Sequence, residues 1–532
     1  MNWQTKVSVL SFILAIGFLL RIYNLNFPSI GYHSVMENEY LSIAQEMTRT
    51  QNYINKRIYF YNGLEDKASL KRDNQPAMIS YQTIFAWRLL GENLWGPRLF
   101  NILFGVASIM VIYAVSALLF NNLYLAIFSA FLLAIMPLAV FFSRNIQPES
   151  PAFFFMLLGH LFYLKFICTF KKYNLFLGGL SFILSWLYRF NFLLGIIPFL
   201  LCFPFRELYK KKHFVRCVVL FILPYVLILV IIWKLNAIGQ WDLMVFKPIN
   251  CFKFFSPSFL KRTIWIVWLY AKQDNFTPIY TSLTLIGILL AIFKRKGLLT
   301  RYIFGWFLAF IVYFLMYAPQ MGQNNFYQMP FLILVCIASC YTLAQISEII
   351  TKVFKINLLL FFMLLVFGIS IPFVYQSILR MHATVFLGMD VAGESLREFT
   401  QPEERIFLFT HAQGQGIARY ARRYVGWTSN LDDFKDKERK FNIRYICFYP
   451  AEFAGGLKTD HPLLFEYIQN NYHPKEVGLL EGSRVIYIIL EKGKGSPPEM
   501  FLDSFSGPTR VRTIYRMFNR FIFFYTMAPQ IR

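Results

Sequence analysis

Three carboxylates stand where an apolar chain would leave a bilayer. Glu37 and Glu39 lie in GYHSVMENEY (31–40), immediately after VSVLSFILAIGFLLRIYNL (7–25), and Glu149 lies in SRNIQPESP (143–151), between two further apolar runs. A carboxylate at such a boundary is either a solvated loop residue or part of a site. As part of a site it can take a proton from a hydroxyl nucleophile or, with others, hold a hard cation. His33 precedes the first pair, and Arg144 and Arg189 flank the second region.

The elements that position these residues follow from composition. The 532 residues are 57% hydrophobic and 19% aromatic, with only 15% charged. Soluble proteins run at about 25% charged. The apolar excess collects in runs near the ~20 residues that a helical crossing needs. These runs predict a polytopic α-helical membrane protein. The expected crossings fall near 7–25, 97–120, 123–142, 151–169, 174–190, 192–205, 214–235, 277–293, 301–318, 329–349 and 356–376, about eleven transmembrane helices.

The net charge of +24 is concentrated in short loops such as KFICTFKK (165–172), RELYKKKHFVR (206–216), KRKGLLTR (294–301) and TKVFK (351–355). Placing them all on the cytoplasmic side satisfies the positive-inside rule and orients the chain, with a cytoplasmic N-terminus and the acidic loops outside. No basic stripe interleaved with exposed aromatics supports nucleic-acid binding. The seven cysteines include no CxxC pair and suggest neither a zinc site nor a disulfide framework; Cys251 and Cys447 are the two that read as outward-facing.

The expected organisation is a membrane domain over 1–380, with an outer loop at 26–95, then an extracytoplasmic α/β domain over 381–495 and a basic amphipathic tail over 496–532. Short β-rich runs at 404–411, 443–450 and 484–490 alternate with helical signals at 414–423 and 462–472. The tail carries arginines and aromatics at a spacing that reads as a helix lying on the membrane surface. His160 reads as a hydrogen-bonded histidine within the bundle, and His461 as a surface residue. Arg189, interrupting an apolar run, reads either as functional or as half of a structural ion pair.

HSVMENEYLSIAQEM (33–47) resembles the first outer loop of the C-type superfamily (GT-C) of membrane glycosyltransferases, of the protein-mannosyltransferase and aminoarabinose-transferase kind. NQPAMISYQTIFAWRLLGENLWGPRLFN (74–101), with Arg98 opening a crossing, FFSRNIQPESPAFFF (141–155), YRFNFLLGIIP (188–198) and NNFYQMPF (324–331) resemble later signatures in the same order. The resemblance spans about residues 5–375. It implies inverting transfer of a sugar from a polyprenyl-phosphate-linked donor to a lipid, saccharide or protein acceptor on the outer face of the plasma (inner) membrane. It implies catalytic roles for Glu37, Glu39 and Glu149, as general base or as ligands of a divalent cation such as Mg or Mn. His33, Lys71, Arg72, Arg98, Arg144, Arg189 and Tyr327 are then substrate-binding. Where several members carry an Asp-Glu pair, this chain has Met36 and Glu37. Other members place a single acid six residues after a His, which here is Glu39. Gln75 replaces a Lys common before the Pro-led helix.

The rival reading is a transporter or flippase of lipid-linked saccharide, although the repeated halves common in transporters are not evident. A non-catalytic envelope scaffold would leave the paired acidic loops unexplained. The orientation is directly testable. A cysteine probe at 440 should react in intact cells and one at 211 only after permeabilisation; protection at 440 until lysis would overturn the arrangement.

Overall fold

The computed structural model describes residues 2–60, 64, 76–210, 214–237, 256–294, 297–410, 413–493, 508–517 and 520–528. The chain forms two compact units, Met1–Asn26 with Asp73–Met381, and Phe27–Arg72 with His382–Arg532.

The first unit is helical, and each of the eleven apolar runs contains helix. Among the described residues eight helices are long and apolar enough to cross a membrane, and a bent pair makes a ninth. The two remaining runs give shorter pieces: Lys172–Tyr188 is 17 residues long, and Phe190–Ile196 is a 3-10 turn that continues into Ile197–Cys202. Large apolar side chains such as Phe12, Phe293 and Leu364 point outward, as lipid-facing residues should.

The bent pair is Leu123–Ile135 and Pro137–Arg144, at 54° to one another. Proline supplies no N–H, so the carbonyl four residues back loses its helical donor. That carbonyl belongs to Leu133. Arg21, fully buried in the first helix Trp3–Ile22, donates to Leu133 O at 3.2 Å, to Ala134 O at 2.9 Å and to its own Gly17 O at 2.8 Å. A polar side chain thus supplies the donors that the bend removes, in a layer where no water can do so. Helix Trp95–Phe120 closes against the bent piece at Gly105, where a Cβ would stand 2.3 Å from Ser143 Oγ.

The second unit holds a seven-stranded sheet in the order β2-β1-β3-β5-β4-β7-β6. Its strands are β1 (Ile406–Thr410), β2 (Val425–Gly426), β3 (Tyr445–Tyr449), β4 (Tyr472–Leu480), β5 (Arg484–Lys492), β6 (Thr509–Met517) and β7 (Arg520–Met527). β1 pairs in parallel with β2 and β3, and the other pairings are antiparallel. Helices Met389–Phe399 and Gly414–Ala421 bury one face around Leu408, Cys447 and Ile489. Leu431–Phe441, Glu452–Asp460 and Pro462–Asn471 bury the other around Phe407, Phe448 and Ile488.

The strands read at 404–411, 443–450 and 484–490 are β1, β3 and β5, and β4 was not foreseen. Cys447 is buried within β3, and Cys251 lies outside the described residues. In the tail Thr509–Met517 and Arg520–Met527 are paired antiparallel strands, not a helix. Ile522 and Phe524 are buried while Phe521 and Phe523 are exposed, the alternation of a strand with one covered face. Tyr515 on β6 donates to the buried carboxylate of Asp390, which burial pushes up to about 6.

The Arg21 contact yields a stability prediction. Arg21→Met should lower the thermal unfolding temperature in detergent, because two carbonyls lose donors at about 1–3 kcal/mol each. The same substitution beside Pro137→Ala, which restores one N–H, should cost less. Equal losses in both backgrounds would show that Arg21 does not serve the bend.

Candidate functional site

Each unit gathers a set of buried polar residues. In the first unit the set is built around the turn Asn145–Pro148. Asn101, on Trp95–Phe120, donates to Asn145 O and, at 2.9 Å, to Gln147 O. Gln82 donates to Asn101 Oδ1 at 2.7 Å, and Tyr188 donates to Gln82 Oε1 at 3.1 Å. Ser150 Oγ donates to Asn101 O at 2.9 Å. Four segments are thereby tied to one turn, which presents Glu149 at the start of helix Glu149–Thr169. A carboxylate there is favoured by the positive end of the helix dipole.

Glu149 is 2% exposed, and its Oε1 lies 3.3 Å from Arg189 Nε. Its Oε2 has no hydrogen-bond partner among the described residues. Arg189 occupies the extended break between Lys172–Tyr188 and the 3-10 turn. Its guanidinium lies 5.5 Å from the Phe326 ring centre and 5.4 Å from that of Tyr327. Aromatic faces and a carboxylate together compensate a charge that has left water. Of the two readings of Arg189, the ion pair is therefore present, and it joins three residues singled out by sequence: Glu149, Arg189 and Tyr327. Arg98 and Arg144 are also buried in this unit, with Arg98 donating to Leu25 O at 2.8 Å. His160 pairs with the Tyr302 hydroxyl at 2.9 Å, the bundle role expected of it.

Glu37 and Glu39 belong to the second unit, on helix Ser34–Thr50. Two residues apart on a helix, they point about 200° apart. Both are nevertheless buried, because the helix is covered without a break from Glu37 to Met47. Ser29 Oγ donates to Glu37 Oε2 at 2.5 Å. Between the two carboxylates Asn38 donates to Ser29 O at 2.7 Å and accepts from Arg419 Nε at 3.0 Å. Arg419 stacks 3.5 Å from the Tyr420 ring, and the Tyr420 hydroxyl accepts from Ser29 N–H at 2.9 Å. About two turns on, Glu46 holds Arg49 at 2.8 Å and the Tyr424 hydroxyl at 2.8 Å. Burial and the Glu46 carboxylate raise the phenols of Tyr59 and Tyr424 above their usual range. His33 opens the helix in a left-handed conformation, with its ring 4.1 Å from that of Tyr32.

Lys71 and Arg72 lie outside the described residues. Asn101, Gln82, Ser29, Asn38 and Arg419 were not singled out in the sequence. Asn101 and Gln82 carried a usable signal, since an amide inside an apolar run must find a partner. Arg419 carried none.

Hard divalent cations take six or more oxygen ligands. Among the described residues no group of three or more His, Cys, Asp or Glu side chains converges, so Glu37, Glu39 and Glu149 form no such cluster. Glu149 already spends one oxygen on Arg189. This donor set does not fit a metal, and no step is derived through one.

Residues 74–233 match the family described as dolichyl-phosphate-mannose-protein mannosyltransferase. No curated protein matches the chain. Among solved structures it is similar to an oligosaccharyltransferase from Archaeoglobus fulgidus, crystallised with Zn and sulfate, at TM-score 0.60 and 15% identity over 88% of this chain and 72% of that one. It is similar to ArnT from Cupriavidus metallidurans in the apo state, at TM-score 0.55 and 14% identity over 91% and 97%. The same ArnT bound to undecaprenyl phosphate matches at TM-score 0.50 and 13% identity, over 92% and 98%. The chain is thus a multi-pass membrane protein whose fold is similar to that of these two enzymes, and its segment 74–233 matches the mannosyltransferase family model.

Proposed function

We propose that the protein transfers a sugar from a polyprenyl-phosphate-linked donor to an acceptor on the extracytoplasmic face of the plasma membrane, with inversion at the anomeric carbon. The observation that carries this reading is a GT-C fold in which carboxylates at the predicted positions are buried rather than solvated. The ArnT that binds undecaprenyl phosphate shares that fold and supports a lipid-linked donor.

In the reaction a carboxylate on Ser34–Thr50, Glu37 or Glu39, takes the proton of the acceptor as its oxygen or nitrogen bonds to the anomeric carbon. The bond from that carbon to the lipid phosphate breaks, and the phosphate leaves with the electron pair. Cationic side chains stabilise the developing negative charge. Arg98, Arg144, Lys71 and Arg72 are the candidates, with Arg189 held in register by Glu149.

Purified protein with labelled polyprenyl-linked sugar should form a glycosylated product, and a transporter would move the lipid without forming one. Glu37→Gln and Glu39→Gln separate the two candidate bases, since Gln can still accept the Ser29 hydrogen bond. One variant should lose transfer while retaining donor affinity, and the other should remain active. Normal turnover in both would place the base elsewhere.

For Glu149 the readout must separate chemistry from packing. Glu149→Gln strands a buried charge, so its turnover is compared per folded molecule and should still fall by roughly 100-fold. Arg189→Gln should destabilise the protein, because it strands a buried charge at about 3–5 kcal/mol. The double variant should regain stability without regaining activity. If activity returns along with stability, the pair has a purely structural role.

A further inference from the structure

We propose that Asn275 is a positioning residue for Arg189: its buried amide fixes the turn whose two aromatic rings face the guanidinium. The proposal deepens the catalytic reading and rests on it.

Arg189 meets the Glu149 carboxylate and the rings of Phe326 and Tyr327. Both rings belong to the 3-10 turn Asn325–Phe331, which leads into helix Leu332–Phe354. Hydrogen bonds inside a 3-10 turn have poor geometry, so its shape depends on what it is tied to. Here the tie is Asn275. Its Nδ2 donates to Asn325 O at 3.1 Å and to Gln328 Oε1 at 3.0 Å. Its Oδ1 accepts from Asn325 Nδ2 at 3.1 Å, and Gln328 Nε2 donates to Val267 O at 2.9 Å. Asn275, Asn325 and Gln328 are all buried. The turn is thus braced immediately before Phe326 and immediately after Tyr327, and a satisfied network of buried amides specifies a single arrangement.

The backbone that carries Asn275 is irregular at this point. Asn275 ends a π-helical turn, Ala271–Asn275, which separates helix Pro257–Tyr270 from Thr277–Lys294. Two residues on, Thr277 has φ of 68°, a left-handed conformation that a β-branched residue adopts only under constraint. Single π turns recur at functional sites, and local strain persists where the surroundings over-determine it. Together the two irregularities set the register at which the Asn275 amide reaches Asn325. In the reaction Arg189 faces charge that develops on the leaving phosphate. A guanidinium out of place should then slow turnover and leave donor binding nearly intact.

The test uses the full chain with labelled polyprenyl-linked sugar. Asn275→Leu keeps the volume and removes the amide. Per folded molecule its kcat should fall by about tenfold or more, while KM for the donor changes by less than about twofold. Arg189→Lys keeps a charge beside Glu149 but loses the flat face that the rings cover. In that background Asn275→Leu should cost far less than in the native chain. The same factor in both backgrounds would make Asn275 a packing residue and overturn the proposal. A second readout needs no activity. Phenylglyoxal should modify Arg189 severalfold faster in Asn275→Leu, with Arg98 unchanged. An unchanged rate at Arg189, or an equal rise at both arginines, would also overturn it. Where Asn275→Leu fails to accumulate, Gln328→Met removes one partner of Asn275 and should move Arg189 labelling in the same direction. If labelling behaves as expected and the native chain makes no product, the catalytic reading fails and the coupling of Asn275 to Arg189 stands.

Discussion

Inside a bilayer every backbone N–H and C=O must find its partner within the protein. A straight helix meets that demand by itself. The break at Met136–Pro137 does not, and it leaves carbonyls that Arg21 reaches from the first helix. Beyond the bend the short helix Pro137–Arg144 leads into the turn Asn145–Pro148, and Asn101 satisfies two of its carbonyls. Glu149 is displayed at the end of that turn. The geometry of the acidic turn thus depends on polar side chains from distant helices that replace missing backbone partners.

The same logic explains the ion pair. A lone carboxylate or guanidinium at this depth would be neutralised or expelled. Glu149 and Arg189 coexist because each compensates the other and because two aromatic rings complete the shell around the guanidinium. An arrangement so closely packed has little freedom, which suits a group that must hold another in position.

The eleven apolar runs could be read from the sequence because run length is a local property, although among the described residues only eight helices and one bent pair are long enough to cross. The ion pair was half legible: Arg189 announced itself as a charge in an apolar run, but nothing local named Glu149 as its partner. The hairpin was misread for a specific reason. A bulge between Val511 and Thr513 breaks the alternation just where the arginines are densest, so the strand period is masked. The grouping of Glu37 and Glu39 with the C-terminal sheet was invisible, since the residues that fix their helix come from Arg419 and Tyr420. Those contacts join positions 381 and 391 residues apart, beyond the reach of any periodicity.

That separation also sets a timetable for biogenesis. Ser29, Asn38 and Glu46 leave the ribosome early, while Tyr420, Arg419 and Tyr424 are made 378 to 391 residues later. At about 5–20 residues per second the first segment waits on the order of tens of seconds. Throughout that interval the helix that carries Glu37 and Glu39 lacks the partners that will enclose it. The acidic helix is therefore among the first parts of the chain to be synthesised and among the last to be completed. A truncation that removes residues 419–532 would leave the membrane helices inserted and the Glu37–Glu39 segment without Arg419, Tyr420 and Tyr424.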